Sequence, residues 1–193
     1  MFNQLKLYDH AHHTIKRYNI YLLLFLFLFP PLQLLIIPFY FSQKNILYQV
    51  FKFELRRLNP FIVLFFIIII LVVNLVSSYL FSDYPLQKNV NQLSISREIT
   101  IIQLLSIVVI APVAEEFYFR GILFNSLKKR NGKLFILTFT SLIFSIIHCN
   151  VPAAPTLFIL GFSLGLVKLT TGSILITIIM HSIFNCIMLL IIF

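Results

Sequence analysis

The chain has no tryptophan, only two cysteines and only six carboxylates among 193 residues. Each scarcity excludes something. Charged residues make up 11% of the chain, less than half of the roughly one quarter found in water-soluble domains, so a soluble globular protein is excluded. Intrinsic disorder needs low hydrophobicity and high charge. It fails here because 60% of the residues are hydrophobic and the mean hydropathy is +0.98. Two cysteines give no disulfide framework and suit a reduced or redox-indifferent setting. Without tryptophan, an aromatic belt at the membrane surface has to rest on the 8 tyrosines. Acidic residues are so few that 15 basic ones leave a net charge of +9. In a lipid-embedded chain that excess sits in short loops facing the cytoplasm and anionic lipid, and it does not read as nucleic-acid binding.

What the chain does have is long apolar runs. Five or six stretches stand out, roughly 19–41, 61–81, 99–127, 134–149, 155–170 and 173–193, against the about 20 residues a helix needs to cross a bilayer core. The expected fold class is all-α, a polytopic transmembrane helix bundle with about six membrane segments. It divides into a basic N-terminal tail (1–18), membrane segments without a motif (19–98) and a membrane core (99–193). No cleavable signal peptide is expected, since Pro30-Pro31 and bulky residues follow the first apolar run where a small-residue cleavage site would be. The tight basic turn Lys128, Lys129, Arg130 and Lys133 and the loop with Lys44, Lys52, Arg56 and Arg57 are expected in the cytoplasm. Keeping the tail on that side as well would need a re-entrant hairpin at Pro30-Pro31. Leu47, Val50, Phe51, Leu55 and Leu58 share one helical face, which fits an interfacial helix or a plain basic loop.

Against this background a few charges are out of place. Asp9, Glu54, Asp83 and Glu98 lie in the tail or in loops, but Glu115 and Glu116 are adjacent inside the third apolar segment, and Arg120 follows them. A charged side chain in hydrocarbon costs at least about 2.5 kcal/mol. His148 ends the fourth segment, while His181 and Asn185 lie within the last. Counting at about 1.5 Å per residue from the basic face, Glu115 and Glu116 lie roughly 16–18 Å deep, His148 roughly 21 Å, His181 roughly 12 Å and Asn185 roughly 18 Å. Three helices thus deliver polar groups to one layer, which predicts a water-filled cavity. Spacing then separates the roles. Glu116 and Arg120 are i, i+4 and can pair, so Glu116 is expected to be structural. Glu115 has no cation near it in sequence and is free to act as a base on water, which His148 could share. His181 and Asn185, also i, i+4, are donors suited to a developing oxyanion. A water activator and an oxyanion clamp are the minimum for peptide-bond hydrolysis.

Glu115-Glu116-Phe117-Tyr118-Phe119-Arg120-Gly121 matches an EExxxR motif, Phe144-Ser145-Ile146-Ile147-His148 matches FxxxH, and His181-Ser182-Ile183-Phe184-Asn185 matches HxxxN. With these three in this order, roughly the C-terminal half resembles the CPBP/Abi family of intramembrane proteases. That family takes in CAAX prenyl endopeptidases and bacteriocin-processing or bacteriocin-immunity proteins. The resemblance implies an endopeptidase in which Glu115 and His148 activate water, His181 and Asn185 form the oxyanion site, and Glu116 and Arg120 give electrostatic support. It implies a glutamate-dependent enzyme without a required metal. The implied substrate is a peptide or protein at the membrane: a prenylated tail, a leader peptide or a bacteriocin-type peptide. The implied location is a bacterial cell membrane, with the protein integral and multi-pass.

Other readings compete at several positions. A zinc site using His148, His181 and a glutamate is chemically feasible, but HExxH is absent. His10, His12 and His13 read as a solvated tail. Cys149 reads as a small apolar filler, and nothing requires it to pair with Cys186. Gly161 and Gly165 form a GxxxG that reads as close helix packing. At the level of function, the alternatives to a peptidase are a non-catalytic immunity or scaffold protein of the same fold and a proton or ion transporter.

Overall fold

A computed structural model describes residues 60–84, 98–128 and 132–192. All of them fall within the unit Gln43–Phe193. The tail, the segment 19–41 with Pro30-Pro31 and the interfacial helix expected over 47–58 lie outside the described residues. Among the described residues the regular structure is helical throughout. Helix α1 spans Pro60–Leu80. A segmented helix follows, made of α2 (Ile101–Leu105), a π-helical stretch (Ser106–Ile110), α3 (Ala111–Glu116), a second π-helical stretch (Phe117–Leu123) and α4 (Phe124–Lys128). Then come α5 (Lys133–Ile147), α6 (Ala154–Thr171) and α7 (Ile174–Ile192). Four of these stretches are long and apolar enough to cross a membrane, Pro60–Leu80, Ile101–Leu123, Ala154–Thr171 and Ile174–Ile191, while Lys133–Ile147 is shorter. They follow the apolar runs read from the sequence to within a few residues.

Local chemistry sets the helix ends. Thr100 and Gln103 form a capping box before α2: the Gln103 N–H donates to Thr100 Oγ1 at 3.2 Å, and the Thr100 N–H donates to Gln103 Oε1 at 2.9 Å. Gly172, at φ +71°, closes α6 in the left-handed conformation that glycine adopts without strain, and Lys168 Nζ donates to its carbonyl at 2.7 Å. Ser173 Oγ accepts from the Ile176 N–H at 3.3 Å and starts α7. Helix α5 stops at His148 because Cys149 turns to φ +48°. That corrects the reading of Cys149 as an apolar filler: its side chain is exposed at a helix end.

The packing is inside-out relative to a soluble protein. Phe61, Phe65, Leu75, Leu134 and Leu190 face outward, while Glu116, Arg120, Ser141, Ser163, Thr177 and His181 are buried. Hydrocarbon contact stabilises the outer face, and close backbone approach holds the helices together. The tightest contact is α5 on α6. A Cβ on Gly161 would lie 3.1 Å from Ser141 Cα, and one on Gly165 would lie 2.8 Å from Leu137 Cδ2, so the GxxxG does serve packing within the bundle. Two of the buried hydroxyls at this contact find partners on their own helices. Ser141 and Ser163 donate to the carbonyls of Leu137 and Ile159 one turn back, at 2.6 and 2.7 Å. Helix α6 carries α1 on one side and α7 on another, and α7 also packs on the segmented helix. This places α3, the end of α5 and the middle of α7 around one point.

Candidate active site

Four elements supply the site. Glu115 and Glu116 end α3, Arg120 lies one turn on in the second π-helical stretch, His148 caps α5, and His181 lies in α7. Arg120 Nη1 donates to Glu116 Oε1 at 2.9 Å, with both side chains fully buried. Its Nη2 donates to the Gly161 carbonyl at 2.8 Å. The guanidinium carbon lies over the Phe144 ring at 5.1 Å from its centroid and over that of Phe119 at 5.6 Å. The cation is thus held by a carboxylate, a carbonyl and two aromatic faces, as a charge in a dry interior requires.

The tautomers of both histidines follow from their partners. His148 Nδ1 lies 2.6 Å from the Phe144 carbonyl, and a carbonyl can only accept, so Nδ1 carries the proton. His181 Nδ1 lies 3.1 Å from Glu116 Oε1, which the Arg120 charge keeps as an acceptor, so this Nδ1 is protonated too. Both Nε2 atoms then turn to Glu115. His148 Nε2 is 4.0 Å and His181 Nε2 is 3.8 Å from Glu115 Oε2. Neither separation is a hydrogen bond, and Glu115 Oε2 is buried without a hydrogen-bond partner in the chain. Glu115 Oε2 and the two Nε2 atoms thus converge on one point. Glu115 and His148 keep 21% and 29% of their side-chain surface, although Glu115 Oε2 itself is enclosed, whereas His181 keeps 4%.

All three motifs therefore meet in space, and they coincide with one family. A family model described as Rce1-like, type II CAAX prenyl endopeptidase, matches residues 97–187. Those residues, just under half of the chain, are similar to the Rce1-like family. No curated protein and no solved structure matches the chain. The Rce1-like segment begins just before the Thr100 capping box and ends just after Asn185. It therefore contains every residue of the site described above, and it lies in an integral membrane protein of several apolar helices.

Within the Rce1-like segment the structure brings Glu115, Glu116, Arg120, His148 and His181 into one connected group. Asn185 is placed differently. Its Nδ2 donates to the backbone carbonyl of Ile107 at 2.8 Å, so that donor is engaged with the segmented helix. Two further residues belong to the site. Phe144 does more than space the FxxxH motif. Its carbonyl orients His148, and its ring lies against Arg120, His148 and His181, with ring centroids 4.9 and 5.7 Å from the two imidazoles. Gly161 supplies the carbonyl that takes the free arm of Arg120. The aromatic at the first position of FxxxH was a visible signal for Phe144; for the Gly161 carbonyl there was none.

Glu115, His148 and His181 have the donor chemistry of a zinc site, and their Nδ1 protons are held as outer-shell partners hold them. The spacing fits less well. Ligands about 2.0–2.1 Å from a tetrahedral zinc stand about 3.3 Å apart, against 3.8 and 4.0 Å here. Among the described residues, no group of three or more His, Cys, Asp or Glu stands in metal-holding geometry.

Proposed function

We propose that the chain is an intramembrane endopeptidase in which Glu115, helped by His148, activates water for attack on a peptide bond. The observation that carries this is the convergence of Glu115 Oε2 and His148 Nε2, two acceptors 4.0 Å apart. A water about 2.8 Å from each would see them at about 90°, close to its own H–O–H angle, and could donate one proton to each. That arrangement aims the water's lone pairs away from both groups.

The reaction is then a general-base hydrolysis. The water oxygen bonds to the scissile carbonyl carbon while its proton passes to Glu115. The carbonyl oxygen becomes an oxyanion. His181, between the carboxylates of Glu115 and Glu116, can carry a second proton on Nε2 and donate it there as a charged donor. Collapse breaks the C–N bond, and Glu115 returns its proton to the leaving amine. Glu116 stays ionised against Arg120 and fixes the ring of His181, so the adjacent glutamates have distinct roles. No metal is required for these steps. The substrate class is a peptide reaching the membrane, such as a prenylated tail, a leader peptide or a bacteriocin-type peptide.

The test is a comparison of protein N-termini in membranes from cells making the wild type or the Glu115→Ala variant at equal levels. The proposal expects a set of new N-termini with the wild type alone. Identical sets, with a cellular effect that survives His148→Ala and His181→Ala, would favour a binding or immunity role.

A further inference from the structure

Pro112 and Asn185 lie on different helices, yet a single backbone carbonyl joins them. Ala111 donates its N–H to Ser106 O, five residues back. In an α-helix that N–H would have gone to Ile107 O. In the π-helical register Ile107 O would instead accept from residue 112, but residue 112 is proline and has no N–H. Neither helical register supplies Ile107 O with a donor. Asn185 Nδ2, from α7, donates to it at 2.8 Å. An orphaned carbonyl in the low-dielectric interior of a membrane protein is costly, so the amide answers a specific vacancy in the helix that carries both glutamates.

We propose that Asn185 is a positioning residue. Its amide replaces the main-chain donor that Pro112 withholds from Ile107, and it thereby fixes the rotation of α7 so that His181, one turn away, meets Glu115 and Glu116. This rests on the peptidase reading for its catalytic consequence, but not for the pairing itself. This positioning task does not exclude donation to an oxyanion, because the amide nitrogen carries a second N–H beside the one given to Ile107 O.

The experiment is a double-mutant cycle on the full chain in detergent, with thermal midpoint and cleavage rate as readouts. Asn185→Leu, close in size and without a donor, should lower the thermal midpoint by several degrees and kcat by about tenfold or more. Pro112→Ala restores an N–H that can reach Ile107 O. In that background Asn185→Leu should cost far less on both readouts. The kcat comparison is made well below every midpoint, so a recovery reports geometry and not folding. Asn185→Leu effects that are the same with Pro112 or Ala at 112 would overturn the proposal, as would an Asn185→Leu variant as stable as wild type and inactive. If Pro112→Ala does not accumulate, the midpoint of Asn185→Leu alone decides. A coupled midpoint in a protein that cleaves nothing would leave the pairing standing and remove the peptidase reading instead.

Discussion

Glu115 and Glu116 are neighbours in sequence, but their surroundings differ. Glu116 is fully buried, with Arg120 Nη1 at 2.9 Å and His181 Nδ1 at 3.1 Å on the same oxygen. Glu115 is partly exposed and faces two Nε2 atoms across gaps too wide for direct bonds. Glu116→Gln therefore strands a buried guanidinium and frees the ring of His181. Breaking a buried pair by removing one partner costs about 3–5 kcal/mol, so Glu116→Gln and Arg120→Ala should both lower the yield and the thermal midpoint in detergent. A normal midpoint for both would mean that the pair is not structural. Part of this was legible in the sequence. The i, i+4 spacing of Glu116 and Arg120 fixes their shared face, and the common depth of Glu115, His148 and His181 anticipates their meeting. The contact of His181 with Glu116 was not legible, because it spans 65 positions and depends on how α7 is rotated about its axis. The same holds for Asn185: its i, i+4 relation to His181 says that both share a face, not which acceptor the amide meets.

The helices are regular except where the site needs them otherwise. Two π-helical stretches flank Ala111–Glu116, and each widened turn shifts the side chains that follow it around the axis. Pro112 gives the first of them a cause that could have been read from the sequence, since a proline inside an apolar run must break the hydrogen-bond ladder somewhere. Nothing in the residue pattern marks the second. The close approach of α5 and α6 was legible in Gly161 and Gly165, and it has a consequence for the site because the Gly161 carbonyl holds Arg120. On helix propensity alone, alanine would be favoured at either position by up to about 1 kcal/mol. At Gly161 the added carbon meets the backbone of Ser141, whereas at Gly165 it meets the movable end of Leu137. Gly161→Ala should therefore lower the thermal midpoint more than Gly165→Ala, by an overpacking cost of about 1–3 kcal/mol. Melting curves for the two single variants check this, and equal midpoints would show that α5 and α6 adjust freely.

At the scale of the molecule, hydrocarbon outside and a polar layer inside form one design. Helix α1, at the edge of the described bundle, presents Phe61, Phe65 and Leu75 outward, while the helices around the site bury their few charges and hydroxyls against each other. Depth counting along three helices anticipated that Glu115, His148 and His181 come close together, because a helix advances by a fixed rise and the basic turn gives a common origin. It could not decide how the groups are arranged within the layer, since that depends on the rotation and crossing of each helix. The whole arrangement serves the proposal that a carboxylate oxygen without a direct hydrogen-bond partner in the chain activates water within the membrane. The most direct measurement is the cleavage rate of purified Glu115→Gln beside wild type, in chelator-treated buffer, with thermal midpoints recorded on the same samples. The account predicts an unchanged midpoint and a rate lower by at least about 10²–10⁴-fold, the loss of a general base, with the wild type still active under chelation. A Glu115→Gln variant that cleaves at the wild-type rate would contradict it.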